Sequence, residues 1–345
     1  LKGSTLALVA TIAPANATNK NVTWTSSNTN VATVSDGTVT GVAIGTSTIT
    51  VKTIDGNKTA SCEVTVIDGP SDDYTIMIYM CGSDLESSYA SSNQGLASGD
   101  LEEILNVTGQ PDGVNIIVET GGAKKWSSMH GISASYLERY HVDNGSLVRD
   151  AQLTKASMGL TTTFQSFLEW GLTTYPAKKT GVILWNHGGA LDGCCFDENY
   201  SNDSLTNDEC NTAFENAFNN TNRNQNLEWI GYDCCLMAVQ DIAEFNSRYF
   251  NYMVSSQETE GGYGWDYDGG WLDSLYKDPT GIKTSDLLTE ICTTFIADNY
   301  SESTLSVLYL TKMSTYKTAW ENIASGLSGI INNSSKWSTF INVVN

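Results

Sequence analysis

The stretch Ile183-Leu184-Trp185-Asn186-His187-Gly188-Gly189 runs an apolar segment into a histidine and two glycines, and Tyr232-Asp233-Cys234-Cys235-Leu236-Met237 closes the next such segment on two thiols. Short apolar runs bounded by turn residues read as strands buried on both faces. A parallel sheet binds its ligands outside the carboxyl ends of its strands, where the connecting loops converge. His187 and Cys235 both sit just past such an end, on strands joined by one helix. A thiol becomes a strong nucleophile as thiolate, and a nearby imidazole is the usual means of making one near neutral pH. Taken singly, a histidine after a strand is usually structural and a cysteine there is usually core. Their shared strand-end position, with Gly188-Gly189 beside them, makes a catalytic pair as good a reading as a structural one. Gly188, having no side chain, lets a backbone N–H approach a developing oxyanion, with the N–H of Cys235 as second donor.

Outward from these motifs, strands alternate with helical segments from Tyr74 onward, the pattern of an α/β domain with a mostly parallel sheet flanked by helices. Strands are expected at 75–80, 114–119, 181–186, 229–232, 252–255 and 306–310. A hairpin is expected from 135–142 and 146–151, turned by Asp143-Asn144-Gly145. Helices fit at 100–106, 163–173, 207–219, 237–249, 285–299 and 315–323. The helix at 207–219 carries Cys210, Ala213, Phe214, Ala217 and Phe218 on one face, which is therefore core. The helix at 237–249 starts directly after Cys235, so its positive end would favour a thiolate there.

Residues 1–68 differ in texture. They are rich in Thr, Val, Ala, Asn and Ser, and period-two runs at 22–25, 31–34, 38–40, 46–51 and 63–66 are separated by Gly, Asn and Asp. This is an all-β sandwich with Trp24 as a core plug. A linker at 69–73, Gly69-Pro70-Ser71-Asp72-Asp73, follows, and 74–345 forms the second domain.

The chain has 345 residues and a net charge of −21, and nowhere interleaves Lys or Arg with aromatics. A polyanion would be repelled, so nucleic acid is excluded as a partner and a cationic ligand is favoured. No apolar run reaches the ~20 residues of a membrane span. The start at Leu1, without an initiator Met or a signal-peptide core, reads as a mature or excised fragment. Of eight cysteines, Cys194-Cys195 and Cys234-Cys235 are vicinal pairs, which bridge poorly. The three histidines lack zinc-ligand spacing relative to cysteine, so no metal site is expected from them. Cys62, Cys81, Cys210 and Cys292 read as small buried hydrophobes.

Two resemblances sharpen this. Asn21-Val22-Thr23-Trp24-Thr25-Ser26-Ser27-Asn28, Val31-Ala32-Thr33-Val34 and Gly41-Val42-Ala43-Ile44-Gly45-Thr46 together resemble the bacterial Ig-like group 2 module. That resemblance implies a spacer or adhesion unit on a secreted or wall-attached protein. Tyr79-Met80-Cys81-Gly82-Ser83-Asp84-Leu85-Glu86, the His187 and Cys235 motifs, and Ser255-Ser256-Gln257-Glu258-Thr259-Glu260 with Gly264-Trp265-Asp266-Tyr267 resemble the clostripain family of cysteine peptidases.

The second resemblance implies a caspase-like fold and a His187–Cys235 dyad with no third member required. Cys234 fills the small-residue slot before the nucleophile and is the rival assignment. It further implies cleavage after Arg or Lys, with Asp233 in the S1 pocket. Glu258 and Glu260 are candidates for a second acid, and Glu260 is the one assigned. Gly261-Gly262 stand where relatives carry further acids, which leaves Arg against Lys open. Self-activation between the His and the Cys points to Arg223, the only basic residue there, in a polar loop where nicking is tolerated. No cofactor is required. Calcium, known for some relatives, is a candidate ligand of the acidic run from Asp197-Glu198 through Asp203 to Asp208-Glu209. The expected protein is thus a secreted cysteine endopeptidase acting on basic peptides outside the cell or at the cell surface. The rival is an adhesion protein whose peptidase-like domain has lost activity.

Overall fold

The computed structural model describes residues 2–3, 5–67, 69–298, 303–331 and 333. Asn299, the expected end of one helix, and residues 334–345 lie outside the described residues. The chain forms two compact units, Leu1–Ser71 and Asp72–Asn345.

The first unit holds two three-stranded antiparallel sheets. One orders Thr5–Ala7, Thr38–Gly41 and Ala32–Ser35, the other Val22–Ser26, Gly45–Thr53 and Thr59–Val66. Between them lies a small core of Val31, Ala32, Val39, Ile49 and Val66. Trp24 packs against this core half-buried, at its margin and not as its centre. Cys62 is exposed, against expectation. It pairs with the buried Ile49 from an edge strand, where so small a core covers one partner and not the other.

The second unit is built on an eight-stranded sheet. Its strands are β1 (Asp72–Cys81), β2 (Val114–Gly121), β3 (Tyr136–Asp143), β4 (Ser146–Thr154), β5 (Ala177–Trp185), β6 (Leu227–Asp233), β7 (Phe250–Ser255) and β8 (Ser306–Tyr309). Their spatial order is β4-β3-β2-β1-β5-β6-β7-β8. The central strands β2, β1, β5, β6 and β7 pair in parallel, and antiparallel strands close both edges. Asp72 and Asp73, assigned to the linker, begin β1. At the β3–β4 turn Asn144 and Gly145 both have positive φ, 45° and 77°, as a two-residue type I′ hairpin requires.

Both faces of the sheet are covered, and β1 shows why its run is continuously apolar. Met77, Tyr79 and Cys81 enter one core while Ile76, Ile78 and Met80 enter the other. The first core takes Phe164 and Phe167 from helix α3 (Thr161–Thr174) and Phe214 from α4 (Asn207–Asn220), after the short α1 (Ser83–Ser87) and α2 (Leu96–Asn106). The second takes Leu101 from α2, Leu272 from α6 (Trp271–Lys277) and Leu287 from α7 (Thr284–Asp298). Helix α5 (Gln240–Asn246) precedes these last two, and α8 (Met313–Ile331) ends the described chain.

One boundary matters for function. Helix α5 starts at Gln240, not directly after Cys235. Leu236 adopts φ of 64°, and the following residues are bound to a neighbouring segment through Leu236 N–H to Glu258 O at 3.0 Å and Ala238 N–H to Ser256 O at 2.8 Å. The helix-dipole contribution expected at Cys235 is therefore absent, because that effect falls off within the first turn.

Candidate active site

Strands β5 and β6 are adjacent and parallel, with Trp185 level with Asp233. His187 and Cys235 each lie two residues beyond that pair, so the register sets them level at the carboxyl edge of the sheet. The ladder continues one step as Asn186 N–H donates to Asp233 O at 3.3 Å. The Asn186 side chain then ties three segments together, donating to Cys81 O at 2.7 Å and accepting from Phe196 N–H at 2.7 Å. Both members of the pair line a pocket of about 100 Å³, with Asp233, Glu260, Gly261 and Gly262 among its other walls.

The histidine has a partner that the sequence reading did not assign. His187 Nε2 lies 2.9 Å from Asp84 Oδ1. Burial pushes the Asp84 carboxyl up, but the hydrogen bond and charge of His187 outweigh it and hold it below its usual range. Asp84 lies in the short helix α1 directly after β1, whose end lies beside that of β5. It belongs to the Cys81–Glu86 motif quoted above, so the signal was in view without its role.

Gly188 is fixed by contact. A Cβ there would stand 2.1 Å from the Cys235 carbonyl oxygen and 3.0 Å from both Cys235 N and Cys234 Cβ. No hydrogen bond among the described residues engages the N–H of Gly188 or of Cys235. Cys234, the rival thiol, is 2% exposed and donates to Leu184 O at 3.2 Å. Burial pushes that thiol well above its ordinary value, so it is inert core. Cys235 is half-buried, and its Sγ accepts from Glu260 N–H at 3.2 Å.

The acids of the pocket are poorly satisfied. Asp233, 5% exposed, accepts from Tyr267 O–H at 2.9 Å and from Trp265 N–H at 3.2 Å. Gly264, at φ 65°, leaves room for this, since a Cβ there would lie 2.9 Å from Asp233 Oδ1. Burial pushes the Asp233 carboxyl up to about 7; the Tyr267 and Trp265 hydrogen bonds offset part of this, and the charge of Glu103 adds to it. Both carboxylate oxygens of Glu260 are buried without a well-formed hydrogen bond among the described residues, and only the Trp265 side chain and the Asp233 carboxyl lie close enough to interact with them. Burial, then the charges of Asp233 and Cys235, push Glu260 well above the usual range. Glu258 is exposed and does not line the pocket.

Two further groups of expected residues lie away from the pocket. Arg223 lies on the connection from α4 to β6, at the amino end of β6, about 20 Å of strand away from Cys235. The acidic run is occupied locally. Asp197 accepts from Met158 N–H and Asn199 N–H, Glu198 pairs with Lys124, Asp203 accepts from Ser157, and Glu209 completes a capping box with Thr206. The described carboxylates that do converge are Glu103, Asp266 and Asp268, within 4.8 Å of one another.

A sequence profile of the clostripain family matches residues 78–344. The chain belongs to the clostripain family. A bacterial Ig-like domain (group 2) profile matches residues 1–64. This clostripain-family chain is similar to a solved secreted C11 cysteine protease of Bacteroides thetaiotaomicron, called iotapain. The identity is 17% and the TM-score 0.55, covering 75% of this chain and 71% of that one. It is also similar to an inactive zymogen C11 protease of Parabacteroides distasonis, at 19% identity and TM-score 0.51 over 72% and 65% of the two chains. At these identities the likeness shows the caspase-like fold.

Curated relatives match through the Ig-like module. An Ig-like virion protein of Serratia phage KSP90 is 58% identical over 66 residues, 19% of this chain and 26% of that protein. An alpha-L-arabinofuranosidase of Bifidobacterium longum is 55% identical over 60 residues, 17% of this chain and 6% of that one. The chain thus spans about a quarter or less of the curated relatives' length.

Proposed function

We propose that the protein is a cysteine endopeptidase that hydrolyses peptide bonds after Arg or Lys, using Cys235 as nucleophile and His187 as acid and base. The observation that carries this is the level placement of His187 and Cys235 at two parallel strand ends, facing a pocket whose other wall presents two buried carboxylates. Asp84 engages Nε2 of His187, which leaves Nδ1 to exchange protons with the thiol and the leaving group. The thiolate attacks the substrate carbonyl, and the resulting oxyanion is received by the N–H groups of Gly188 and Cys235. His187 protonates the departing amine, and water then clears the acyl-enzyme. The reaction as written calls on no cofactor.

Asp233 and Glu260 form the S1 site. A buried carboxylate pair without a cation rewards a guanidinium or ammonium and penalises a neutral side chain. The Ig-like module and the secreted relative support action outside the cell, with the module as a spacer or attachment unit. Cleavage after Arg223 is assigned to a second molecule, because that loop lies at the opposite end of the sheet from Cys235.

The test is turnover of a fluorogenic Arg or Lys peptide by the intact chain and by Cys235→Ala. Turnover that disappears in the variant supports the reading. Equal turnover by both proteins removes the peptidase assignment and leaves the Ig-like module as the working part.

A further inference from the structure

The segment after β7 runs beside the nucleophile's own loop and is fastened to it at three successive points. Ala238 N–H reaches Ser256 O at 2.8 Å, Leu236 N–H reaches Glu258 O at 3.0 Å, and Glu260 N–H reaches Cys235 Sγ at 3.2 Å. The base of this strap is rigid. Ser256, fully buried, accepts from Glu258 N–H at 3.1 Å and lies 3.0 Å from Thr304 Oγ1. Two contacts join backbone to backbone, but the third ends on the sulfur that is to carry a negative charge.

The charges around that sulfur make a donor necessary. Asp233 and Cys234 approach from the end of β6, Glu260 from the strap, and His187 from the end of β5, with Asp84 behind it. Apart from His187 every ionisable group here is an acid or a thiol, and none favours a thiolate. The helix that would have helped begins at Gln240, five residues beyond Cys235. A backbone N–H held by a pinned strap supplies a fixed partial positive charge at no reorganisation cost.

We propose that the main-chain N–H of Glu260 is a donor to the Cys235 thiolate, so that the strap is a working part of the catalytic apparatus as well as a wall of the pocket. The same residue then serves two ends of the substrate's chemistry. Its side chain faces the cation in S1 and its amide holds the nucleophile, which ties occupancy of the pocket to the position of the sulfur. The inference rests on the reading of Cys235 as nucleophile.

The experiment replaces residue 260 in the full chain with alanine, which keeps the N–H, and with lactic acid, which puts an ester oxygen in its place. Both lack the carboxylate, so effects on the S1 site cancel. The readout is the rate at which iodoacetamide alkylates Cys235 across pH, followed by mass spectrometry of its peptide. Loss of the donor is expected to shift the profile to higher pH and to slow alkylation about tenfold on its acid side, the equivalent of one pKa unit. Superimposed alanine and ester profiles would overturn the proposal.

A measurement on the unaltered protein guards against a misfolded ester. In chain labelled with 15N-glutamate, the Glu260 amide resonance is expected to move as Cys235 ionises and to stop moving once Cys235 is carboxamidomethylated. A resonance that does not respond to Cys235 overturns the proposal as well. Peptide turnover by Cys235→Ala is scored separately, so a failed peptidase reading is distinguishable from a failed donor.

Discussion

Asp233→Asn separates the cost of the S1 acid from its use. Burial raises Asp233 from 3.8 to about 7, roughly three units, and at 1.36 kcal/mol per unit this amounts to ~4 kcal/mol. Asp100 and Glu260 are pushed up beside it, so the three titrate together and ~4 kcal/mol is the most that this one site carries. The sign follows from proton counting. Between about pH 4 and pH 7 the unfolded chain has released the Asp233 proton while the folded chain still holds it. Stability from this group is full below the unfolded value and is lost as pH rises through the folded one. Asparagine keeps the shape and the bonds to Tyr267 and Trp265 but cannot ionise. Urea unfolding should therefore show the variant close to wild type at about pH 4 and more stable by ~1–4 kcal/mol at about pH 8. The same variant should lose at least about a hundredfold in kcat/KM on a basic peptide. A wild-type chain that gains stability from this group over the same interval, or an Asn variant weaker than wild type at alkaline pH, refutes the argument.

Other outcomes follow from contacts already described. Gly188→Ala forces a Cβ to 2.1 Å from Cys235 O, so kcat/KM should fall about a hundredfold or more while thermal unfolding shows a cost of only ~1–3 kcal/mol. Asp84→Asn removes the anion that orients His187, and steady-state kinetics should show kcat down about ten- to a hundredfold with KM nearly unchanged. Arg139→Met strands Glu119, whose carboxyl is raised to about 7 by burial even with Arg139 beside it. Its unfolding free energy should drop by ~3–5 kcal/mol at neutral pH, and by less in acid, where a protonated Glu119 needs no cation.

The sheet was legible because its strands are buried on both faces. Runs such as Thr75-Ile76-Met77-Ile78-Tyr79-Met80 and Gly181-Val182-Ile183-Leu184-Trp185 have no other economical fold, and the order of the chain places the two motifs at the same edge. The level placement of His187 and Cys235 follows from that topology, while their reading as a dyad comes from the family resemblance. Asp84 was not legible as a partner, because the β1–β5 adjacency that brings it to His187 is a long-range pairing across more than a hundred residues. The failed helix at 237–249 has a local cause. Leu236 and Met237 continue an apolar pattern that suits a helix, yet Leu236 turns with φ of 64° and the N–H groups of Leu236 and Ala238 are taken by the strap at 256–258. Periodicity counts apolar residues and does not see a competing backbone partner. Cys62 was misread for a related reason: its residue type predicts burial, but an edge strand of a very small sandwich cannot supply it.

The contrast among buried acids bears most directly on specificity. Glu86 accepts three hydrogen bonds, from Ser98 N–H, Ser98 O–H and Ser127 N–H, and Asp197 accepts from Met158 and Asn199 amides. Glu138 has Arg149, Gln152, Tyr140 and the Ser133 amide, and Glu119 has Arg139. Satisfaction is incomplete elsewhere too, since Glu119 Oε1 and Glu290 Oε2 are buried with no hydrogen bond among the described residues. The acids at and behind the pocket are distinguished by standing together with no ion pair among the described residues. Asp100, behind Asp233, is held by the Trp185 indole N–H, Asp233 by one phenol and one amide, and Glu260 only by its weaker interactions with the Trp265 side chain and Asp233, with no ion pair to any of the three among the described residues. A fold with only 18 basic residues in 345 could still have spared one for this cluster, as it does for Glu119 and Glu138. Leaving it unpaired costs stability at neutral pH, and that cost is recovered only when something positive enters from outside. Asp233 and Glu260 line the same pocket as Cys235, so on the proposed reading the group that enters belongs to the residue whose carbonyl the thiolate attacks.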